Sequence, residues 1–224
     1  MAYRPLSAVV LAAGEGTRMR SRLPKVLHPL CGRPMVLHVL DTLLALPLER
    51  VVVVVGHEAD AVMEAIQGSV TSAIPVQFVE QRVQRGTGDA VAVALTSFPD
   101  DDNDGDGDVL VLLGDTPLLR ASTVEALIDG HRASGAACTV LTAIADDATG
   151  YGRVVRGRDD SVRRIVEQRD ASPEELAIRE WNTGVFCFRR SLLAPALRRL
   201  TPDNAQGEYY LTDVFAHAAS EYSP

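Results

Sequence analysis

Small residues and two cations that could bind phosphate lie close together near the start of the sequence. Gly14 and Gly16 stand in the run Leu-Ala-Ala-Gly-Glu-Gly-Thr-Arg, and Arg18 and Lys25 follow within a few residues. Backbone N–H groups of such a turn can approach an anion closely, and the two cations can neutralise phosphate charge. The run is not a P-loop, because no Gly-Lys-Ser/Thr follows at the required spacing, and it is not Gly-x-Gly-x-x-Gly, because Met19 replaces the third glycine. The pattern indicates a polyphosphate site. The alternative is that both glycines only permit positive φ in a tight turn.

A carboxylate that could bind a metal ion, Asp115, follows an apolar run at residues 109–113 that predicts a buried strand. Ligands of open α/β sheets bind outside the carboxyl ends of the strands. Magnesium is typically held there by one or two carboxylates together with substrate phosphates and water. Asp115 is therefore a candidate magnesium ligand. The alternative is a turn aspartate that caps the next helix.

Other patterns in the sequence argue against further kinds of site. Residues 100–105 match the start of a calcium-binding loop, but the twelfth position is Val111 instead of glutamate, so a solvated acidic loop is favoured. The five histidines have no metal-binding spacing, and the three cysteines form no Cys-x-x-Cys pair. A Gly-x-Ser-x-Gly motif, which would indicate a serine hydrolase, is also absent from the sequence.

The composition narrows the class of partner. The sequence has 22 basic and 30 acidic residues and a net charge of −8, and six of the acids fall between residues 100 and 108. The rest of the chain is nearly neutral, so a nucleic-acid partner is not expected. No apolar run is long enough for a membrane span or a secretory signal. Together with unpaired cysteines, these features predict a cytoplasmic protein.

Strands and helices alternate along the first two thirds of the sequence. Apolar runs predict strands at residues 7–11, 51–55, 76–79 and 109–113, and helical periods predict helices at 34–46, 59–66 and 89–95. Continuously apolar strands are typical of a sheet covered by helices on both faces. The sequence therefore predicts an α/β fold with a doubly wound, Rossmann-like and mostly parallel sheet.

The pattern changes after residue 150, where the apolar runs become shorter. It predicts strands at 153–156, 162–166 and 185–188, a small helix at 173–177 and two closing helices at 191–200 and 211–219. We interpret residues 1–149 as the core and residues 150–224 as a smaller β-rich lobe with closing helices. No Pro/Ser-rich linker separates the two parts, so the sequence favours one elaborated domain over two independent ones.

Motifs spread along nearly the whole chain resemble one enzyme family. The glycine turn continues into Leu-Pro-Lys-Val-Leu-His-Pro-Leu-Cys-Gly-Arg-Pro-Met at 23–35. In the family's order there follow Gln-Arg-Gly-Thr-Gly-Asp-Ala (84–90), Gly-Asp-Thr-Pro-Leu (114–118), Gly-Tyr-Gly-Arg (150–153), Ile-Val-Glu-Gln (165–168), Asn-Thr-Gly (182–184) and Asn-Ala-Gln-Gly-Glu-Tyr-Tyr-Leu-Thr-Asp (204–213). The sequence resembles the sugar-nucleotide pyrophosphorylases, most closely the uridyltransferase domains of bacterial bifunctional N-acetylglucosamine-1-phosphate uridyltransferases/glucosamine-1-phosphate acetyltransferases.

The resemblance implies uridylyl transfer from UTP to N-acetylglucosamine 1-phosphate, giving UDP-N-acetylglucosamine and pyrophosphate for cell-wall precursor synthesis. It implies that the uridine nucleotide is held by Leu11, Ala12, Ala13, Gly14, Lys25, Gln81, Gly86 and Thr87. Arg18 and Lys25 would be the catalytic cations on its phosphates, and Asp115 would ligate Mg²⁺. The amino-sugar pocket would be lined by Gly152, Glu167, Asn182, Tyr210 and Thr212. The core would thus bind the nucleotide and the small lobe the sugar.

The chain departs from the family pattern at three points. The family usually has His where this chain has Asp89, and often Tyr where it has Leu113. Family members also carry a second metal-ligating Asn and then a left-handed β-helix that transfers acetyl groups and forms the trimer, and this sequence ends at Pro224 before both. The resemblance implies a truncated uridyltransferase domain or a natural short relative, with a trimer expected only where the β-helix is present. If the missing Asn is essential, the chain binds nucleotide but turns over poorly.

Two other functions stay open at this point. A thymidylyltransferase or cytidylyltransferase would share the glycine turn, Lys25 and Asp115, although Glu167 and Asn182 match the amino-sugar pocket. A nucleotide-binding module that has lost catalysis is the alternative from another class of protein. The intact set of Arg18, Lys25 and Asp115 argues against it.

Overall fold

The computed structural model describes residues 4–16, 19–99 and 107–221. In chain order its strands are β1 (Leu6–Leu11), β2 (Pro29–Leu30), β3 (Arg33–Pro34), β4 (Arg50–Val55), β5 (Val76–Glu80), β6 (Asp108–Leu113), β7 (Cys138–Ile144), β8 (Arg153–Arg156), β9 (Val162–Val166) and β10 (Glu180–Arg189). Its α-helices are α1 (Met35–Leu44), α2 (Ala59–Gln67), α3 (Thr87–Leu95), α4 (Ala121–Ser134), α5 (Pro173–Leu176), α6 (Arg190–Leu197) and α7 (Val214–Glu221). Short 3₁₀ turns occur at Lys25–Leu27 and Leu211–Asp213.

One large sheet organises the molecule. Its strand order is β5-β4-β1-β6-β10-β8-β9, and β7 pairs with the other side of β10. The first four strands of this order are parallel to one another, whereas β10 runs antiparallel to β6, β7 and β8. The small strands β2 and β3 form a separate hairpin. The predicted α/β class, with a parallel central sheet, is confirmed.

Helices cover both faces of the sheet, and this explains the continuous apolar strands. Ala8 and Val10 of β1 face a core that contains side chains of α1, α2 and α4. Val9, between them, faces the opposite core, to which α3, α6 and α7 contribute. Because successive side chains of a strand point to opposite faces, both must be apolar when both faces are covered. The doubly wound arrangement follows from this pattern.

The long strand β10 joins the parallel half of the sheet to the short strands β8 and β9. Phe186–Phe188 lie between β6 and β7, while Trp181 pairs with Arg153 of β8. Between these stretches the register shifts from Asn182 to Val185, which marks a bulge. The sequence predicts a strand at 185–188 only, and the structure extends it to ten residues. The functional division at residues 149 and 150 stays a prediction.

Two of the longer elements, α4 and β7, are not among those predicted from the sequence, and neither is the short hairpin of β2 and β3. The helix α4 buries only a narrow stripe, Val124, Leu127, Ile128 and His131, and so has a weak helical pattern. Along β7 every residue but the last is half-buried, so no alternation of apolar and polar residues marks it. Within the described part of the chain, no helix combines the length and apolarity needed to cross a membrane.

The loop at residues 100–105, predicted to be a solvated acidic loop and not a calcium site, lies outside the described residues.

The amino-terminal edge of the parallel strands carries a buried charge. Asp108, the last acid of that stretch, begins β6 and has a fully buried side chain. Its carboxylate accepts a hydrogen bond of 2.8 Å from Arg132 Nε and one of 3.4 Å from Arg4 Nη1. Asp108 therefore belongs to a buried ion cluster and not to a solvated loop.

The three cysteines are unpaired. Cys31 is exposed, while Cys138 and Cys187 are more buried. Burial raises the pKa of each of these two thiols to about 12. Because the thiolate is the reactive form, both are inert at neutral pH. Cys138 and Cys187 are therefore not candidates for a reactive thiol.

Candidate functional site

A cleft of about 470 Å³ opens at the carboxyl edge of the parallel strands. It is lined by the predicted nucleotide and metal residues Leu11, Ala12, Ala13, Gly14, Lys25, Gln81, Gly86, Thr87 and Asp115. Arg18, the remaining predicted cation, lies outside the described residues. Folding therefore brings to one place residues that are more than a hundred positions apart in the sequence, such as Leu11 and Asp115.

The glycine turn after β1 forms one wall of the cleft. Its start is tied to the neighbouring strands, because Ala12 N donates to Val54 O at 2.8 Å and Gly114 N donates to Leu11 O at 2.9 Å. Gly16 has φ +63, and a Cβ there would lie 2.6 Å from Cβ of Lys25. Glycine is thus required at 16 for both its backbone angle and its close approach. The positive-φ explanation holds for Gly16, and the same turn still presents backbone to the cleft.

Lys25 and Asp115 form an ion pair across the cleft, through Nζ and Oδ2. Lys25 begins a 3₁₀ turn whose next residues, Val26 and Leu27, are buried and anchor it. The two side chains are 33% and 17% exposed, so both can still meet a ligand. The alternative role of Asp115 as a helix cap is wrong. The N-cap of α4 is Arg120, and no side chain caps that helix.

The residues around Asp115 fit a metal ion that is held mainly by a ligand's phosphates. No cluster of three or more His, Cys, Asp or Glu side chains placed to hold a metal occurs among residues 4–16, 19–99 and 107–221. Asp115 offers one carboxylate at the carboxyl edge of β6, inside a cleft wide enough for a polyanion. Magnesium keeps several waters and commonly takes one or two carboxylates plus phosphate oxygens. This donor set suits magnesium, and it would be incomplete without the phosphates.

The loop between β5 and α3 forms the opposite wall and is clamped by residues 208–211. Tyr209 N donates to Arg85 O, and Gly88 N donates to Tyr209 O, both at 2.7 Å. Leu211 N donates to Thr87 Oγ1 at 3.0 Å. The Thr87 hydroxyl oxygen is therefore already an acceptor within the protein. Its own hydrogen is the part that can be offered to a ligand.

Replacing Gly86 with alanine is expected to destabilise the fold and disturb this wall. Gly86 has φ +110, and a Cβ there would lie 2.6 Å from Tyr209 O and 2.8 Å from Tyr209 N. Backbone strain and the clash should together lower the free energy of unfolding by about 2–4 kcal/mol, measured by urea denaturation. Gly135→Ala is the matched control, because Gly135 has φ +64 but open space around it. That variant should cost about 1 kcal/mol, from strain alone. Equal losses in the two variants would contradict the clash.

The predicted sugar-binding residues form a second group beside the cleft and outside its lining. Asn182 N donates to Gly152 O at 2.9 Å, and Asn182 Oδ1 accepts from Gly184 N at 2.9 Å. A Cβ at Gly152 would lie 3.3 Å from Glu167 Oε1, to which Thr212 Oγ1 donates at 3.2 Å. The backbone and side chains of these residues thus converge on one small region between β8, β9 and β10.

Tyr210, the fifth residue of the second group, is buried, and its hydroxyl accepts a hydrogen bond of 2.7 Å from Gln206 Nε2. Burial raises the pKa of this hydroxyl, the Gln206 bond lowers it, and nearby carboxylates raise it again, so that the net shift is upward. Tyr210 is therefore a neutral hydroxyl at physiological pH. Its structural role here is to hold the loop that contains Gln206.

Glu167 is the electrostatically unusual member of the second group. Burial raises its pKa, the hydrogen bond from Thr212 lowers it, and the carboxylates of Asp213, Asp170 and Glu208 raise it further. The net effect is a pKa above the usual range for glutamate. A partly buried carboxylate surrounded by other acids can accept hydrogen bonds from hydroxyl or amide groups of a ligand, which would offset its desolvation.

The two groups adjoin each other. At the bulge of β10, a Cβ on Gly184 would lie 2.6 Å from Cδ1 of Leu113, and Leu113 lines the cleft. Glu208 also lines the cleft, and its charge acts on Glu167. Residues not predicted from the sequence thus connect the groups. Glu208 lies inside the motif at 204–213 and Leu113 directly precedes the motif at 114–118, and these positions were the only sequence signal for the two residues.

A larger surface depression lies beside the N-terminus of α2. Its volume is about 540 Å³, and it is lined by Glu58, Asp60 and Glu80 among apolar residues. The described lining contains no lysine or arginine. Three carboxylates without a cation repel phosphate, so size alone does not make this depression a candidate for a nucleotide. The cleft that holds Lys25 is the better candidate.

The chain is similar to known proteins over nearly its whole length. Residues 8–219 match the family described as MobA-like NTP transferase domain. The chain is 52% identical over 211 residues to a protein named Bifunctional protein GlmU from Exiguobacterium sp., covering 94% of this chain and 45% of the relative. A protein of the same name from Geobacillus thermodenitrificans is 50% identical over 207 residues, covering 92% and 43%. The chain therefore spans less than half the length of these curated relatives.

Solved structures resemble the fold at low sequence identity. A UDP-glucose pyrophosphorylase complexed with UDP-glucose superposes with a TM-score of 0.77 at 15% identity, covering 96% of this chain and 87% of that one. HddC from Yersinia pseudotuberculosis, complexed with GMP-PN, gives 0.65 at 18% identity, covering 92% and 83%. At such identities the likeness concerns the fold. From the family match over residues 8–219, the chain belongs to the MobA-like NTP transferase domain family and is a nucleotidyltransferase.

Proposed function

We propose that the chain transfers a uridylyl group from UTP to N-acetylglucosamine 1-phosphate and releases pyrophosphate. The observation that carries this proposal is the adjacency of two groups of residues. One is the cleft with Lys25 and Asp115, and the other is the carboxylate, amide and hydroxyl group of Glu167, Asn182 and Thr212. A sugar-nucleotide product has a polyphosphate between two hydroxyl-rich ends, and these groups are suited to its different parts. The motifs quoted above resemble those of uridyltransferases.

The nucleotide would lie along the glycine turn and the N-terminus of α3. Backbone N–H groups of the turn and the positive end of the α3 dipole favour anions. Lys25 adds a full positive charge in the same cleft, and Arg18 would add a second from the adjoining segment. Gln81, Gly86 and Thr87 would border the base and ribose.

The protein's main contributions to this reaction would be to position the two substrates and to neutralise their negative charge. A phosphate oxygen of the sugar phosphate, ionised above its second pKa of about 6, attacks the α-phosphorus of UTP. The bond from that phosphorus to the β-phosphate bridging oxygen breaks, and pyrophosphate leaves with its electron pair. No general base is needed. Lys25 and Arg18 would hold the two polyanions together against their repulsion, and alignment would lower the entropic barrier.

Enzymes of the nucleotidyltransferase class generally use a divalent metal ion, and we propose Mg²⁺ with Asp115 as its ligand. The ion, when bound, supplies further neutralisation of phosphate charge. In the ligand-free chain, Lys25 is the partner of Asp115. Nucleotide phosphates would draw Lys25 away and free the carboxylate. The three unpaired cysteines support a reducing, cytoplasmic location.

The proposal is tested by measuring pyrophosphate release by the chain with Mg²⁺. UTP with N-acetylglucosamine 1-phosphate is compared with dTTP or CTP as nucleotide and with glucose 1-phosphate as sugar. Release confined to UTP and the N-acetyl sugar is the expected result. Release with another pair would instead identify a different sugar-1-phosphate nucleotidyltransferase. Calorimetric UTP binding without release from any pair would indicate a domain that binds nucleotide with little turnover.

Glu167→Gln is expected to increase stability while weakening sugar binding. The pKa of Glu167 is raised in the folded chain, so ionisation of Glu167 opposes folding. The free energy of unfolding of the wild type therefore falls as pH rises through that pKa. The neutral variant lacks this penalty, so its thermal midpoint should exceed that of the wild type by more at pH 7.5 than at pH 4.5. Loss of the charged acceptor should raise the KM for N-acetylglucosamine 1-phosphate about 10-fold or more.

The pH dependence separates the role of Glu167 from the titration of the substrate phosphate, which affects both proteins alike. The ratio of variant to wild-type KM should grow as the pH rises through the raised pKa of Glu167. Glu174→Gln is a control, because Glu174 is exposed on α5 and outside both groups of residues. A Glu167→Gln variant with wild-type KM at every pH would refute the sugar-binding role.

A further inference from the structure

The side chain of Gln81 is held in one orientation at the edge of the cleft. Gln81 follows β5, is 4% exposed, and donates its backbone N–H to Val55 O at the end of β4. Its amide nitrogen Nε2 donates to Gly86 O at 3.1 Å and to Asp89 Oδ2 at 2.8 Å. An amide NH₂ group has two hydrogens, so both are already used.

The partners of this amide determine which of its ends faces the cleft. A backbone carbonyl and an ionised carboxylate can only accept hydrogen bonds. If the amide were rotated by 180°, Oε1 would face two oxygens, Gly86 O and a carboxylate oxygen of Asp89. Both contacts would then be repulsive. Asp89 therefore helps to keep Nε2 directed into the protein.

Asp89 is itself fixed. Its second oxygen, Oδ1, accepts a hydrogen bond of 2.7 Å from Arg85 Nη2, and its side chain is 12% exposed. It stands in the first turn of α3, where the helix dipole favours a negative charge. Charge-assisted hydrogen bonds of this kind are stronger than neutral ones. The carboxylate thus holds Gln81 more firmly than a neutral side chain would.

The acceptor Oε1 is the part of the Gln81 amide that can face a ligand. No hydrogen bond to Oε1 is found from the residues that the structure describes, and Gln81 lines the cleft. An acceptor in this place pairs with the N3–H group of uracil. It opposes the unprotonated N3 of cytosine, which presents a lone pair. A site rejects a wrong ligand strongly when binding that ligand would leave a buried polar group unpaired.

We propose that Asp89 is a positioning residue that fixes the Gln81 amide with Oε1 towards the nucleobase, and so favours uracil over cytosine. This role rests on the proposed use of a uridine nucleotide. Asp89 acts through Gln81 and does not itself touch the base. Arg85 supports it from the solvent side, where its own side chain is 60% exposed.

The test compares UTP and CTP on the wild-type chain and on Asp89→Ala and Asp89→Asn. Calorimetry gives the dissociation constants, and pyrophosphate release gives kcat and KM. For Asp89→Ala we expect UTP binding to weaken about 10-fold, with kcat within twofold and CTP binding little changed. Asparagine can still accept from Gln81 Nε2 through Oδ1, so Asp89→Asn should restore most of the preference for UTP.

Two further variants separate positioning from a general structural role. Asp60→Ala removes an acid from the first turn of another helix, α2, and should leave both affinities unchanged. In a Gln81→Leu background, Asp89→Ala should cause no further loss of UTP preference, because the group it positions is gone. Thermal midpoints of all variants establish that each is folded under the assay conditions.

The outcomes distinguish this role from the proposed function. A wild-type chain that binds UTP no better than CTP would overturn both. If the wild type prefers UTP and Asp89→Ala keeps that preference, the role of Asp89 alone is overturned. Equal weakening of UTP and CTP, or an equal loss in the Gln81→Leu background, would also overturn it. Loss of preference in Asp89→Ala, with recovery in Asp89→Asn, supports it.

Discussion

Asp115→Asn is expected to lower kcat/KM for uridylyl transfer by about 100- to 1,000-fold, the usual effect of removing a group that stabilises transition-state charge. The substitution preserves the shape of the side chain and removes its charge. Asp115 is half-buried in the cleft, and no larger metal-binding cluster is found in the described part of the chain. The rate is measured by pyrophosphate release with saturating N-acetylglucosamine 1-phosphate.

A binding measurement makes the Asp115 prediction independent of turnover. Mn²⁺ binding, followed by electron paramagnetic resonance in the presence of UTP, should weaken about 10-fold in Asp115→Asn, because one charged ligand is lost. Asp129→Asn is the matched control, since Asp129 is an exposed residue of α4. The control should match the wild type in both assays. An Asp115→Asn variant that keeps its rate within threefold would exclude Asp115 as the metal ligand.

Lys25→Met is expected to have two effects of opposite sign. Loss of the ammonium should weaken UTP binding by about 100-fold, because a charged partner of the phosphates is removed from a partly buried cleft. In the absence of nucleotide, the same variant should bind free Mn²⁺ about 10-fold more tightly, since Asp115 no longer has a competing cation. This second effect follows from the ion pair between the two side chains. A structural defect would instead weaken the binding of both UTP and Mn²⁺.

The amino-acid composition provides a control for the Lys25 prediction. Lys25 is the only lysine in the chain, and all other basic side chains apart from histidine are arginines. Lys25→Arg keeps the charge but not the compact ammonium, so it should retain the competition with Mn²⁺ and recover UTP binding only in part. An amine reagent should label the wild type at Lys25 and at the chain's amino terminus alone, with UTP protecting Lys25. Tighter UTP binding or looser Mn²⁺ binding in Lys25→Met would contradict the ion-pair argument.

The sequence could predict the parallel half of the fold because its signals are local. Runs such as residues 51–55 are apolar without interruption, and the runs at 51–55 and 109–113 are each followed directly by a glycine. The predicted strands at 7–11, 51–55, 76–79 and 109–113 all occur, at most one residue shorter than observed at each end. The helix α4 and the strand β7 escaped prediction, since their side chains are buried only in part and their patterns are weak.

For the candidate site, the sequence supplied the residue types but not their partners. Glycines near cations, and an aspartate after a buried strand, could be recognised from spacing, because strand ends of a parallel sheet share one edge. The contacts that decide their chemistry link distant positions. Leu211 N and Thr87 Oγ1 are 124 residues apart, and Lys25 and Asp115 are ninety apart. No local pattern encodes such pairs.

The sequence by itself thus determined the fold class, the place of the cleft at the carboxyl edge and the kinds of group that face it. Those properties follow from hydrophobic periodicity and from where polar residues interrupt it. Only the tertiary structure decided that Lys25 and Asp115 neutralise each other, that Asp89 fixes the amide of Gln81 and that Asp108 is buried. Ionisation and hydrogen-bond direction depend on what lies a few ångströms away in space, and folding sets those neighbours through contacts between residues far apart in the chain.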